Sequence, residues 1–246
     1  MCGRFALTSN AAIISRDFST DISHSFKARF NIAPSQKVLV IRVRPHRTER
    51  EAIFLKWGLI PSWAREPTIG ARLVNARAET AAIKPSFKTS FRQQRCLIPA
   101  DGFYEWGNNA GIKQAYYIQL RSREPFGFGG LWETWGQGRE RIETCTILTC
   151  HANSLMQPIH QRMPVVIQPN RFDSWLHSDQ TRMTEISKDL HTLSAANTVI
   201  RPVSEYVNDV RHDDTRCQTP CEHIKQPNPP RDNPPFAASQ KFLFNR

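Results

Sequence analysis

Branched and aromatic residues fall in short runs along this chain, broken by Gly, Pro, Asp and basic residues. QKVLVIRV (36–43) and EAIFLKW (51–57) predict two strands, because such side chains suit a half-buried pleated surface, with the basic RPHRTER as the turn between them. RCLIPADGFYEW (95–106) predicts a strand, a turn at Asp101-Gly102 and the start of a second strand. QAYYIQL (114–120), FGFGGLW (126–132), ETCTILTC (143–150), MPVVI (163–167) and TVIRPVS (198–204) continue the strand series. Helices are expected at 9–18, 76–83, 171–176 and 181–194, and Pro85 interrupts the second. Strands and helices mix without regular βαβ alternation. That predicts an α+β fold: a curved, mostly antiparallel sheet or partial β-barrel with flanking helices, in a single domain. From Lys225 onward the chain is dense in proline and polar residues, which cannot pack a core. The expected boundaries are a folded domain over 2–224 and a flexible Pro-rich tail over 225–246.

At 246 residues the chain can bury one sizeable core. Its formal net charge of +11 favours a polyanionic partner, most simply nucleic acid, over an acidic small molecule. No apolar run approaches the ~20 residues of a membrane span, and MCGRFALTSN lacks the apolar stretch of a secretory signal. An intracellular protein with no membrane partner is expected, cytoplasmic and nucleoid-associated during replication if bacterial. The six cysteines then fit a reducing compartment. Cys145 and Cys150 read as core strand residues. Cys217 and Cys221, near His212 and His223, match no common zinc spacing, so no metal is expected.

The candidate chemistry begins at Met1-Cys2-Gly3. Removal of Met1 would leave an α-amine and a thiol on adjacent carbons. The amine, with a reference pKa of about 7.7–8.0, can attack an aldehyde to form an imine. The thiol can then add to the imine carbon and close a five-membered thiazolidine, which no interior cysteine or lysine can do. The rest of the chain narrows the reading. GRF follows Cys2; RFNIAPSQ (29–36), WGLIPSWA (57–64), NARAET (75–80), RCLIPADGFYEW (95–106), ILTCHAN leading into IHQRMPVVI (ending at 167) and VSEYVNDVRHDD (203–214) follow in order. Together these segments closely resemble the SRAP family of abasic-site processing proteins, from Cys2 to about Asp214.

The resemblance implies binding of abasic sites in single-stranded DNA, including junctions with duplex, by a monomer. It implies a thiazolidine between Cys2 and the ring-opened sugar that shields the lesion from strand cleavage. Peptidase activity that removes the initiator residue and abasic-site lyase activity belong to the same expectation. No metal or organic cofactor is implied. Cys2 supplies both nucleophiles. Asn75 holds the sugar or the α-amine through its amide, or caps a helix. Glu105 shuttles protons, or is an outward residue of an alternating strand. His160 protonates the sugar ring oxygen, or is structural. Arg4, Arg77 and Arg162 fall at DNA-contact positions, each with a salt-bridge alternative. Trp106 and Trp63 stack on flanking bases or pack in the core. Pro34 wedges beside the gap left by the missing base, and Thr149 and Asn153 line the pocket. Two rivals remain open. One is an N-terminal-nucleophile amidotransferase, which also begins Met-Cys-Gly; the other is a non-covalent single-strand binder with no need of Cys2.

Overall fold

The computed structural model describes residues 2–22, 26–109, 111–177, 186, 190 and 192–221. Most of the helix expected at 181–194 and all of the tail at 225–246 lie outside them. The strands are β1 (Phe5–Leu7), β2 (Arg29–Ile32), β3 (Lys37–Val43), β4 (Arg50–Trp57), β5 (Asn75–Arg77), β6 (Arg95–Ala100), β7 (Gly102–Asn109) and β8 (Ile112–Leu120). They continue as β9 (Phe126–Trp135), β10 (Ile142–His151), β11 (Arg162–Pro164), β12 (Val166–Ile167) and β13 (Thr198–Val203). Short helices flank them, among the described residues α1 (Ala11–Phe18), α2 (Ala78–Ala81), α3 (Lys88–Gln93) and α4 (Phe172–Leu176).

Two sheets form. One runs β13-β8-β7-β1-β2. In the other, β10-β4-β3-β6-β9 are neighbours in that order, and β9 pairs with β10 again, so these five strands close into a small barrel. Closure removes the free edges a short open sheet would expose. The pairing is antiparallel except where β10 meets β4 and β5 in parallel. The α+β class and the barrel-like, mostly antiparallel sheet are therefore as expected.

The runs rich in Val, Ile and Leu bury both faces, as barrel strands do: six of seven residues of β3 and every residue of β6 are buried. The core centres on Phe5, which meets Trp57 at 5.3 Å and Phe128 at 5.6 Å, both edge-on. Gly102 is fixed by close approach, because a Cβ there would lie 2.4 Å from the Tyr117 ring and 2.6 Å from the Ile118 carbonyl. Asp101 makes the turn before it, accepting from Ser9 N at 2.8 Å, Thr8 Oγ1 at 3.0 Å and Thr8 N, and so pins the exit of β1.

β1, β2 and α3 fall in segments where the sequence reading expected no such element, and one further segment changes type. The segment read as a helix over 76–83 opens as β5 and turns helical only at Ala78, with Arg77 rather than Asn75 at the N-cap position. Asn75 is thus no helix cap. The pairing of Ile147 with Asn75 on the long strand β10 overrides the local helix preference.

Candidate functional site

Cys2 sits just ahead of β1, fully buried. The ladders around β1 place its neighbours. The pairs Phe5–Phe103 and Phe5–Ile32, extended toward the N-terminus, set Gly3 opposite both Glu105 on β7 and Pro34 after β2. The third side is closed by β5, where Asn75 Nδ2 donates to the Cys2 carbonyl at 2.7 Å. The other amide atom, Asn75 Oδ1, is buried and accepts no hydrogen bond among the described residues. A buried acceptor without a donor costs about 1–3 kcal/mol, so this oxygen suits an N–H that arrives with the reaction or a freed α-amine.

Burial pushes the Cys2 thiol far above the usual range, and the Glu105 carboxylate beside it pushes in the same direction. The thiol is therefore protonated at neutral pH and needs a base when it attacks. Glu105 is 4% exposed, which corrects the alternative of an outward strand residue. Phe103 packs in the main core and Tyr104 in a second cluster across the sheet, so alternation along β7 turns Glu105 toward the core side with Phe103.

His160 enters on the loop between β10 and β11. Its Nδ1 lies 2.9 Å from Arg162 N and 3.1 Å from the Arg162 carbonyl, so it accepts from the one or donates to the other according to the tautomer. The adjacent Ile159 methyl lies 3.5 Å from where a Gly107 Cβ would stand, so this loop rests on β7 two residues past Glu105.

A polar rim forms where β5, β10 and β11 end together, with Thr149 paired to both Arg77 and Pro164. Arg77 is exposed. Thr149 is fully buried. Arg162 is 13% exposed and grips Glu79 with both Nη atoms, at 2.8 and 2.9 Å, while Nη2 also donates to the Thr149 carbonyl and to Thr149 Oγ1. The Arg162 fork lowers the Glu79 carboxyl below its ordinary value. Glu79 was not singled out in the sequence, and nothing in the spacing of 79 and 162 announces the pair.

Arg4 and Trp106 come together on the opposite face of β1 and β7 from Glu105. The Arg4 guanidinium lies 5.5 Å from the Trp106 ring centre, and Lys113 Nζ lies 5.7 Å from it. Both are held by the segment after β13. Arg4 Nη1 donates to Asn31 Oδ1 at 2.7 Å and to the Val207 carbonyl at 2.9 Å, and Trp106 Nε1 donates to Asn208 Oδ1 at 2.7 Å. Asn31, fully buried, gives its Nδ2 to the carbonyls of Val207, Asp209 and His212. Asp213 accepts from the Phe30 and Asn31 backbone and from Arg29. Asn31 and Asn208 hold candidate contact residues, although the sequence reading did not single them out.

Pro34 is half-buried beside Gly3. Trp63 stands apart and 59% exposed, on a loop where Gly58, at φ +131°, and Gly70 approach too closely for side chains. Asn153 spends its amide on structural bonds, accepting from Met156 N at 3.0 Å within its own loop and donating to the distant Leu193 carbonyl at 2.9 Å. Among the described residues no three His, Cys, Asp or Glu side chains gather to hold a metal, and no helix is long and apolar enough to cross a membrane.

Comparison with known proteins identifies the family. The sequence profile of the family SOS response associated peptidase (SRAP) matches residues 1–210. The chain is 37% identical over 217 residues to Abasic site processing protein YoqW of Bacillus subtilis (strain 168), covering 86% of this chain and 96% of that one. It is 30% identical over 225 residues to Abasic site processing protein YedK of Escherichia coli (strain K12), again covering 86% and 96%. Against Abasic site processing protein HMCES of Gallus gallus it is 29% identical over 228 residues, covering 80% and 67%. A solved structure of a Bacteroides thetaiotaomicron protein superposes with a TM-score of 0.80 at 23% identity, over 89% of this chain and all of that one. One from Bordetella bronchiseptica gives 0.70 at 26%, over 82% and 100%.

Proposed function

Because this chain belongs to the SRAP family of abasic site processing proteins, we propose that it captures abasic sites in single-stranded DNA as a covalent thiazolidine on Cys2, after Met1 is removed. The observation that carries the reading is the surround of Cys2: a carbonyl clamped by Asn75, a buried neutral thiol, and the Glu105 carboxylate beside it.

The chemistry follows from those groups. Hydrolysis of the Met1–Cys2 bond frees the α-amine, and this self-processing is the extent of the peptidase activity. The amine attacks C1′ of the open-chain sugar, and the carbinolamine loses water to give an iminium. His160, on the loop that rests on β7 beyond Glu105, supplies the acid that favours ring opening and loss of hydroxide. Glu105 takes the thiol proton as sulfur adds to the iminium carbon. One amine proton and the thiol proton leave with the aldehyde oxygen as a single water. Asn75 keeps the Cys2 backbone fixed, and its free Oδ1 accepts from the amine. An iminium permits β-elimination of the 3′ phosphate, which is the lyase outcome; ring closure withdraws it and protects the strand. Arg77 and Arg162 face the phosphates, Trp106, Trp63 and Pro34 face the bases beside the lesion, and Arg4 holds the Trp106 side of the cleft. The same reading takes in a strand with duplex on one side.

The test is a denaturing gel of the mature protein with single-stranded DNA carrying one abasic site. The reading expects a heat-stable shifted band with the abasic strand and none with intact-base DNA or with Cys2→Ala. A band that survives in Cys2→Ala contradicts it. Salt-sensitive binding without any band favours the non-covalent alternative, and glutaminase activity the amidotransferase.

A further inference from the structure

Lys37 and Lys56 are directly opposite each other across β3 and β4, both exposed, and neither has an ion-pair partner among the described residues. Like charges set opposite on antiparallel strands repel and cost stability unless an anion lies between them. Phe54, two residues from Lys56 on the same outward face of β4, is 51% exposed, an unusual place for a large ring. It is the wall between two adjoining hollows of about 420 and 540 Å³, both of which also take in Lys37. Phe26 stacks on Phe54 at 6.5 Å and lines only the first hollow, so the ring face toward the second is the open one. The second hollow begins at Ser35, next to Pro34, which the β1–β2 register sets beside Gly3. Its remaining charges, Arg141 with Glu143 and Arg44 on the Glu51 side, are already paired.

We propose that this groove carries the strand flanking the lesion: one nucleotide base stacks on Phe54 while Lys37 and Lys56 hold its neighbouring phosphates. The inference rests on the abasic-site reading above and extends the DNA path beyond the cleft at Cys2. Three features select single-stranded DNA over a protein partner. An exposed ring between two unneutralised lysines is the pattern of single-strand grooves, in which bases stack and phosphates meet ammonium groups. The like-charge pair calls for a polyanion. The groove also starts where the lesion would sit, so a strand held at Cys2 is delivered to it.

The experiment uses the full mature chain and oligonucleotides with one abasic site, lengthened one nucleotide at a time on the 5′ side or on the 3′ side. The rate of crosslink formation at limiting DNA is the readout, with fluorescence anisotropy of the same oligonucleotides alongside. The wild-type rate and affinity should rise with length on one side only. In K37Q/K56Q that rise should vanish and the salt slope of log K should shrink by about 1.4, two phosphates' worth for a single strand. F54L, which keeps the apolar cover but loses the ring face, should weaken long-flank binding by about tenfold and leave one-nucleotide flanks untouched. The double lysine variant removes a repulsion, so its melting temperature should not fall. Variants that track wild type at every length overturn the groove. Absence of any crosslink in wild type fails the capture reading instead, and the anisotropy series still decides the groove.

Discussion

Asn31→Ala offers a demanding test of how the candidate DNA-contact residues are held. Its side chain is fully buried and joins three parts of the chain: β2, Arg4 beside β1, and the segment 207–212. Truncation leaves the Arg4 guanidinium without its oxygen, a bond to a charged group worth about 1.5–3 kcal/mol. It also strips three carbonyls of their donor, of which two N–H bonds can serve two fully, at about 0.5–1.5 kcal/mol each. The expected loss is about 2.5–6 kcal/mol, a large part of the ~5–15 kcal/mol that holds a typical domain. The reasoning goes further than the single variant. Arg4→Ala, Asn31→Ala and the double variant, unfolded in urea, should give a coupling energy of about 1.5–3 kcal/mol, because both singles remove the same charged bond. Single effects that add within ~0.5 kcal/mol would refute the idea that Asn31 holds Arg4.

Other outcomes follow from the same structure. Cys2→Ser keeps the amine but not the thiol, so it should give an adduct only when borohydride traps the imine; a borohydride-independent band would contradict the ring closure. Stability should fall in alkali. Cys2, Cys96 and Cys145 are fully buried with thiols raised above their ordinary value of 9.0, so each binds its proton more tightly folded than unfolded. Their stabilising term is complete below pH ~9 and is lost above it at about 4 kcal/mol per pH unit for the three together, readable as a drop in urea midpoint between pH 8 and 10; a flat profile counts against their burial. Gly102→Ala forces a methyl against the Tyr117 ring and the Ile118 carbonyl and should cost about 1–3 kcal/mol in a thermal or urea melt. Asn208→Ala should free Trp106 and weaken binding of abasic single-stranded DNA by several-fold while leaving the melting temperature nearly unchanged.

What the sequence made legible divides by range of interaction. The strand runs of β3, β4, β6, β8, β9 and β10 are rich in branched or aromatic residues and needed no partner to be read. β1 and β2 have only three and four residues, too few to show a period, and they exist because they pair with each other and with β7. Asn75 was legible as a site residue through its motif, but its place on a strand was not, because the pairing comes from β10, some 70 residues on. Barrel closure leaves no mark in either strand, because β10 must meet β4, about 90 residues earlier, as well as its hairpin partner β9. The chemistry at Cys2 could be argued from its position alone. The buried clasp of Asn31, Asp213 and Arg4 could not, because its parts lie about 180 to 200 residues apart and an amide in a strand gives no hint of three distant carbonyls. The Arg162–Glu79 pair is invisible for the same reason, though each residue lies in a segment that was read.

The measurement that bears most directly on the central claim is the intact mass of the adduct isolated from an abasic oligonucleotide, recorded before and after borohydride. Thiazolidine capture predicts the chain without Met1 plus the full-length oligonucleotide minus one water, unchanged by the reductant. An adduct that retains Met1, gains two hydrogens on reduction, or carries only a cleaved strand would contradict it.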